Sequence, residues 1–294
     1  MTSLTKKQAW AGFLFASPWL VGFSVFLAYP LIASMYYSFC DYSVLKPPVP
    51  IGFENYRELA GDELFWKALV NTFIYAVMAI PTGMATALIL AMLLNAKVKG
   101  MAIYRTLFFI PALVPQVSLA VLWLWVLNGE HGVLNVVLAK FHIPGPNWLT
   151  QPAWTKPSMV LMSLWGVGNS ILIYLASLQD VPQALLEAAD LDGANGWQRT
   201  KNVTLPMISP VILFNGIMGL IGSLQIFTVP YIMFTNGNPA RSSYFYTAYL
   251  YDSAFKYHKM GYASAMGWIM FIIILILTFV SLKLSDRHVH YQGS

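Results

Sequence analysis

Six apolar stretches dominate the chain, near residues 10 to 38, 68 to 94, 106 to 127, 158 to 178, 208 to 234 and 261 to 282, and none contains an Asp, Glu, Lys, Arg or His. Each is long enough to cross about 30 Å of hydrocarbon at roughly 1.5 Å per helical residue. Inside a bilayer every backbone N–H and C=O must be satisfied within its own segment, so six charge-free spans predict six helices. The fold class that follows is an all-α, polytopic membrane protein, read as one transmembrane domain over residues 1–294. Hydrophobic residues make up 57% and charged residues 10%, against about a quarter charged in ordinary soluble domains. Ten Trp, sixteen Tyr and eighteen Phe suit helix ends at headgroup level.

The same composition excludes several classes. The +5 formal charge is scattered between apolar stretches with no basic run or stripe, so nucleic acid is not an implied partner. Cys40 is the only cysteine, which rules out an internal disulfide framework and a cysteine metal cluster. The five histidines, His131, His142, His258, His288 and His290, all lie in connectors or the tail, and His288 with His290 makes only a weak local pair. Lys6 and Lys7 followed by apolar sequence resemble a signal peptide, but the run from Ala9 to Phe39 is too long for a cleaved core and reads as a retained anchor helix.

Six crossings put both termini on one side. An inside N-terminus places Lys6, Lys7, Lys97, Lys99, Arg105, Arg199, Lys201, Lys283 and Arg287 inside, nine of seventeen basic residues. Raw count is nearly a tie; density decides, because the short loop 95 to 105 is basic with no acid whereas 41 to 67 carries Asp41, Glu54, Glu58, Asp62 and Glu63. Prolines at 18, 30, 81, 111, 115, 210 and 230 remove backbone donors inside spans and predict kinks, either as packing geometry or as joints of a pore.

The connector 179 to 207 has its own architecture. Pro182 suits a first helical turn, the stretch to Leu191 is rich in helix formers, and Asp192-Gly193 supplies a left-handed terminator. Asn195 with Gln198 three residues on resembles a capping box opening a second short helix, bounded by Pro206. Helices of about ten residues are marginal alone and must pack on something. Ala184, Leu185, Ala188 and Leu191 form the stripe available for this, and the residues alone leave two readings open: packing on the chain's own spans, or docking on a partner with Glu187, Asp190 and Asp192 facing basic groups.

The run Glu187-Ala188-Ala189, then Gly193, then Val203-Thr204-Leu205-Pro206 resembles the EAA signature of the membrane subunits of binding-protein-dependent ABC importers, with Val203 in place of Ile. Further similarity, at Tyr29-Pro30, Ser38-Phe39, Gly52-Phe53-Glu54-Asn55-Tyr56, Tyr104 to Pro111, Leu191 to Ala194 and Gly261 to Ala265, covers nearly the whole chain and points to the carbohydrate branch, that of maltose, oligosaccharide and glycerol-3-phosphate importers. Two departures stand out: Thr200 where the branch has Phe, and Thr235-Asn236-Gly237-Asn238-Pro239 in place of a Thr-x-Gly-Gly-Pro outer loop. The resemblance implies a MetI-like type I importer permease in a prokaryotic inner membrane, with both termini cytoplasmic. Glu187, Ala188, Ala189, Asp192, Gly193, Leu205 and Pro206 would carry ATPase coupling. Implied partners are a second homologous permease, two cytoplasmic ABC ATPases holding ATP and Mg, an extracytoplasmic solute-binding protein, and a sugar or oligosaccharide substrate.

No Gly-x-x-x-x-Gly-Lys-Ser/Thr is present, so the chain has no phosphate-cradling loop, binds no cofactor of its own by this reading, and is not an enzyme. The competing class is an ion-coupled secondary transporter, which commonly relies on intramembrane Asp, Glu or His that these spans lack. Neutral polar residues are then the candidate solute contacts: Trp165, Gly166 and Asn169 in the fourth span, and Asn215, Gly219, Ser223 and Gln225 in the fifth, the alternative being helix packing. An all-neutral pathway favours neutral sugars.

Overall fold

The computed structural model describes residues 3–96 and 98–285, so the expected inner-face residues Lys97 and Arg287 and the His288–His290 pair lie outside the described residues. Apart from one small hairpin the regular secondary structure of the described residues is helical. The elements in order are α1 Ser3–Phe23, a π-helical turn Ser24–Ala28, α2 Tyr29–Tyr37, β1 Cys40–Ser43, β2 Lys46–Pro50, α3 Glu54–Gly61, α4 Glu63–Leu94, α5 Met101–Phe109, α6 Gln116–Val126, α7 Val133–Lys140, α8 Pro152–Trp165 and α9 Gly168–Gln179. The chain continues through α10 Gln183–Leu191, α11 Gly196–Arg199, a π-helical turn Thr200–Thr204, α12 Leu205–Met207, α13 Ser209–Leu224, α14 Thr228–Met233, α15 Tyr246–Tyr251 and α16 Met260–Ser285.

Four helical stretches can cross a membrane as they stand, Lys6–Tyr37, Glu63–Leu94, Ser209–Met233 and Met260–Ser285. The expected third and fourth spans are not straight rods. They are bent pairs, Met101–Leu113 with Gln116–Val126 at 100° and Pro152–Trp165 with Gly168–Gln179 at 50°, so the count is six only if each pair is one span. Pro111 and Pro115 account for the first break, since neither can donate to the preceding turn. The second break falls at Gly166–Val167, where no proline marks it. Pro18 and Pro81, by contrast, sit inside helices that continue through them.

The backbone forms two compact units, one of the described residues up to Asp62 with Leu250–Ile272, the other of Glu63–Tyr249 with the described residues from Ile273. In the first unit the Asn55 amide donates to the carbonyls of Ser38 and Cys40, both at 2.9 Å, tying α3 to the end of α2 and the start of β1. Tyr262 donates to Asp62 at 2.6 Å and Lys259 pairs with Glu58 at 2.8 Å, which fastens the start of α16 to α3. The span Lys6–Tyr37 buries none of its most apolar stretch, and Phe15 and Phe26 are 93% and 80% exposed, a face for lipid or another subunit.

In the second unit α4 is the axis. Its 32 residues reach about 48 Å. α8, α9 and α13 pack along it. Toward its start, Tyr75 and Ala79 join a cluster with Trp123, Trp148, Met159 and Phe245; toward its end, Ala87, Ala91 and Leu94 join one with Ile171, Tyr174, Leu178 and Ile208. The Arg105 guanidinium donates twice to the Leu94 carbonyl, at 3.2 and 3.0 Å, satisfying one of the orphan acceptors of the α4 C-terminus.

Candidate functional site

Between the two clusters α4, α8, α9 and α13 leave a cavity of about 320 Å³. Small residues make the space: Ala79 and Gly83 recur at four-residue spacing on α4, and Gly219 and Gly222 lie on the facing side of α13. Polar groups come from each wall, Tyr75, Ser163, Ser170, Asn215 and Ser223, and none carries a charge. The Asn215 amide nitrogen donates to the Val211 carbonyl at 3.0 Å, one turn back, so its oxygen is the part free to accept from a ligand hydroxyl. Ile80 and Met84 line this cavity and also a second, mainly apolar one of about 440 Å³ bounded by Ser209, Ile212, Gly216 and Ser281. A Cβ on Gly216 would lie 3.5 Å from the end of Met84, so the two helices meet there across side chain and bare backbone.

At the end of α4 marked by Leu94 lies the helix–turn–helix foreseen for residues 179 to 207. α10 ends at Leu191, Gly193 takes φ +77, and the Asn195–Gln198 capping box closes with both bonds, Gln198 N–H to Asn195 Oδ1 at 2.9 Å and Asn195 N–H to Gln198 Oε1 at 2.8 Å. Arg199 Nη1 donates to both carboxylate oxygens of Asp190, at 3.0 and 3.1 Å, bracing α11 against α10. Leu186, Val181, Leu205 and Met207 root the segment in the neighbouring core. Ala184, Leu185, Ala188 and Leu191 stay exposed, Leu191 at 89%, so the stripe does not pack on the chain's own spans, and Trp197 beside it is 71% exposed. Glu187 and Asp192 are exposed; Asp190 is held by Arg199.

At the opposite end of α4 the loop 235–245 is strapped down. Lys67 Nζ donates to Ala240 O and Lys156 Nζ to Ser242 O, both at 2.8 Å, and Asn71 donates to the carbonyls of Arg241 and Tyr244 at 2.9 and 3.1 Å. Among the described residues no group of three or more His, Cys, Asp or Glu could hold a metal.

Residues 62–291 match the family of binding-protein-dependent transport system inner membrane components. This chain belongs to that family. The inner membrane component is 39% identical to the probable ABC transporter permease protein YesP of Bacillus subtilis, over 98% of this chain and 94% of that one. It is 34% identical to the lactose transport system permease protein LacF of Rhizobium radiobacter, covering 95% of each. In structure it matches a chain of the bacterial alginate ABC transporter in complex with an alginate pentasaccharide-bound periplasmic protein, at a TM-score of 0.84 and 25% identity over 96% of both chains. The MetI-like, mainly helical permease fold follows from these matches.

Within this inner membrane component the structure sorts the candidate solute residues. Asn215, Gly219 and Ser223 line the cavity. Trp165, Gly166, Asn169 and Gln225 do not. The 50° bend after Trp165 separates the two halves of the fourth span, so a face drawn across it as one helix is not continuous. Trp165 turns instead onto Trp123, edge to face at 6.3 Å, and Gly166, Asn169 and Gln225 are exposed. Tyr75, Ser163 and Ser170 were not singled out from the sequence. A signal existed on α4, where Tyr75, Ala79 and Gly83 recur at four-residue spacing, but small residues at that spacing also mark ordinary helix packing, and the bend hides the relation of Ser163 to Ser170.

Proposed function

We propose that this chain is one of two membrane-spanning subunits of an ATP-driven importer of neutral sugars or oligosaccharides in a prokaryotic inner membrane, with both termini in the cytoplasm. The observation that carries the reading is the exposed α10–Gly193–α11 element. Its core side is rooted by Leu186 and Leu205, while Ala188, Leu191 and Trp197 present an apolar face with Glu187 and Asp192 at its edge. That face fits a groove on a cytoplasmic ATPase, and the rooting lets movement of α10 and α11 reach α4, α9 and α13. ATP and Mg belong to that partner. Solute passes through the neutral cavity, completed by a second homologous permease, where hydroxyl and amide groups exchange hydrogen bonds with sugar hydroxyls. Relatives that transport lactose and arabinooligosaccharides support the substrate class, and an importer of the acidic polysaccharide alginate, solved with its oligosaccharide-bound periplasmic protein, supports the need for a solute-binding protein.

Gly193→Asp is the sharpest test. At φ +77 a non-glycine residue is strained, and a new carboxylate enters the apolar face. Membrane insertion and copurification with the second permease are expected at wild-type levels, with ATP-dependent uptake lost at least tenfold. Wild-type uptake in Gly193→Asp, or uptake that survives ATP depletion and stops on collapse of the ion gradient, would overturn the proposal in favour of a secondary transporter.

A further inference from the structure

The loop 235–245 gathers charge that the fold leaves uncompensated. Lys67 comes from α4, Lys156 from α8 and Arg241 from the loop itself, and the hydrogen bonds of both lysines to the carbonyls of residues 240 and 242 place them on either side of Arg241. Those bonds use one of three ammonium donors each and cancel no charge, because the acceptors are neutral. The ion pairs His131–Glu130, Arg199–Asp190 and Lys259–Glu58 include none of these three cations. Glu63, one turn before Lys67, forms no ion pair with it. Arg241 is exposed and its guanidinium makes no hydrogen bond to a described residue.

The backbone beneath them is over-determined. Asn236, Ala240 and Arg241 take φ of 52°, 50° and 55°, conformations that L-residues rarely adopt. Asn71 holds the carbonyls of Arg241 and Tyr244, Thr155 meets Ser242 at 3.0 Å, and Tyr246 N–H donates to Thr72 Oγ1 at 2.9 Å. Strain kept in place by so many bonds fixes the backbone of the loop, which lowers the cost of ordering it on binding.

We propose that Lys67, Lys156 and Arg241 form a cationic seat for acidic side chains of the extracytoplasmic solute-binding protein. The inference rests on the importer reading, which puts this end of α4 outside. A translocating sugar is not the occupant the geometry favours: the cavity begins at Tyr75, eight residues and about 12 Å further along α4, with Phe245 packed edge to face on Tyr75 at 5.6 Å. An incoming carboxylate would also offset the repulsion between the Lys67 and Lys156 ammonium groups.

The experiment uses the whole importer in nanodiscs of neutral lipid and, in a parallel arm, of anionic lipid, with the binding protein that copurifies with it. ATPase stimulation is titrated against binding-protein concentration as salt is raised. Arg241→Glu, which touches no bond holding the loop, is expected to raise the half-saturating concentration about tenfold and flatten its salt dependence, with basal and maximal rates unchanged. Arg241→Lys is expected to restore most of the affinity. An unchanged titration in Arg241→Glu overturns the seat. So does a defect confined to the maximal rate, which would make the loop a gate, or one seen only with anionic lipid, which would make the seat a headgroup site. Absence of any stimulation in the wild-type complex would instead overturn the importer reading itself.

Discussion

Gly261 shows how much one residue can settle. A Cβ there would be driven into the Cys40 carbonyl and crowd Tyr37 O at 3.1 Å, so the start of α16 approaches the end of α2 only because no side chain intervenes. Gly261→Ala is expected to destabilise the protein by about 1 to 3 kcal/mol through overpacking, read as a thermal midpoint lowered by several degrees in detergent. Asn55 works on the same segment from the other side, its two donors consumed by Ser38 and Cys40. The motif pieces Ser38-Phe39, Gly52 to Tyr56 and Gly261 to Ala265, far apart in sequence, are thus parts of one joint. Their identities could be read from the chain; that they meet could not, because nothing in local spacing brings residue 261 to residue 40.

Among the elements, α10 and α11 were the most legible. Capping and turn chemistry are local: the Gly193 conformation and the Asn195–Gln198 box depend on neighbours within three residues, so they could be anticipated without tertiary information. Asn195→Ala is expected to remove about 1 kcal/mol of helix stability, with faster amide hydrogen exchange over residues 196–199 and unchanged exchange in α13. The third and fourth spans were less legible. A run of apolar residues says that a segment belongs in hydrocarbon and says nothing of its straightness; Pro111 and Pro115 gave warning of one bend, while the bend at Gly166 followed only from packing.

For the whole molecule, the cavity is the feature that no single segment encodes. Four helices contribute to it, and its polar groups are spaced by packing rather than by sequence. Asn215→Leu keeps a similar volume but deletes the acceptor facing the cavity, so ATP-driven uptake is expected to fall about tenfold at low solute concentration while assembly and basal ATPase activity remain, measured as a raised half-saturating solute concentration. Retained uptake would assign Asn215 to helix packing alone. The absence of charge from the six apolar stretches was legible from the outset and carries the expectation of a neutral solute, since a charged one would leave its counter-charge requirement to the partner subunit.

By itself the sequence determined the solvent and the local chemistry of this protein: charge-free runs commit it to a bilayer, and short-range glycine, proline and capping patterns place the breaks and turns that depend on adjacent residues. Only the tertiary structure decided which faces meet. Tyr75, Ser163 and Ser170 joined Asn215 around one cavity, and Lys67, Lys156 and Arg241 converged on one loop, because helix rotation and bending are set by packing between segments many tens of residues apart, for which hydropathy carries no signal.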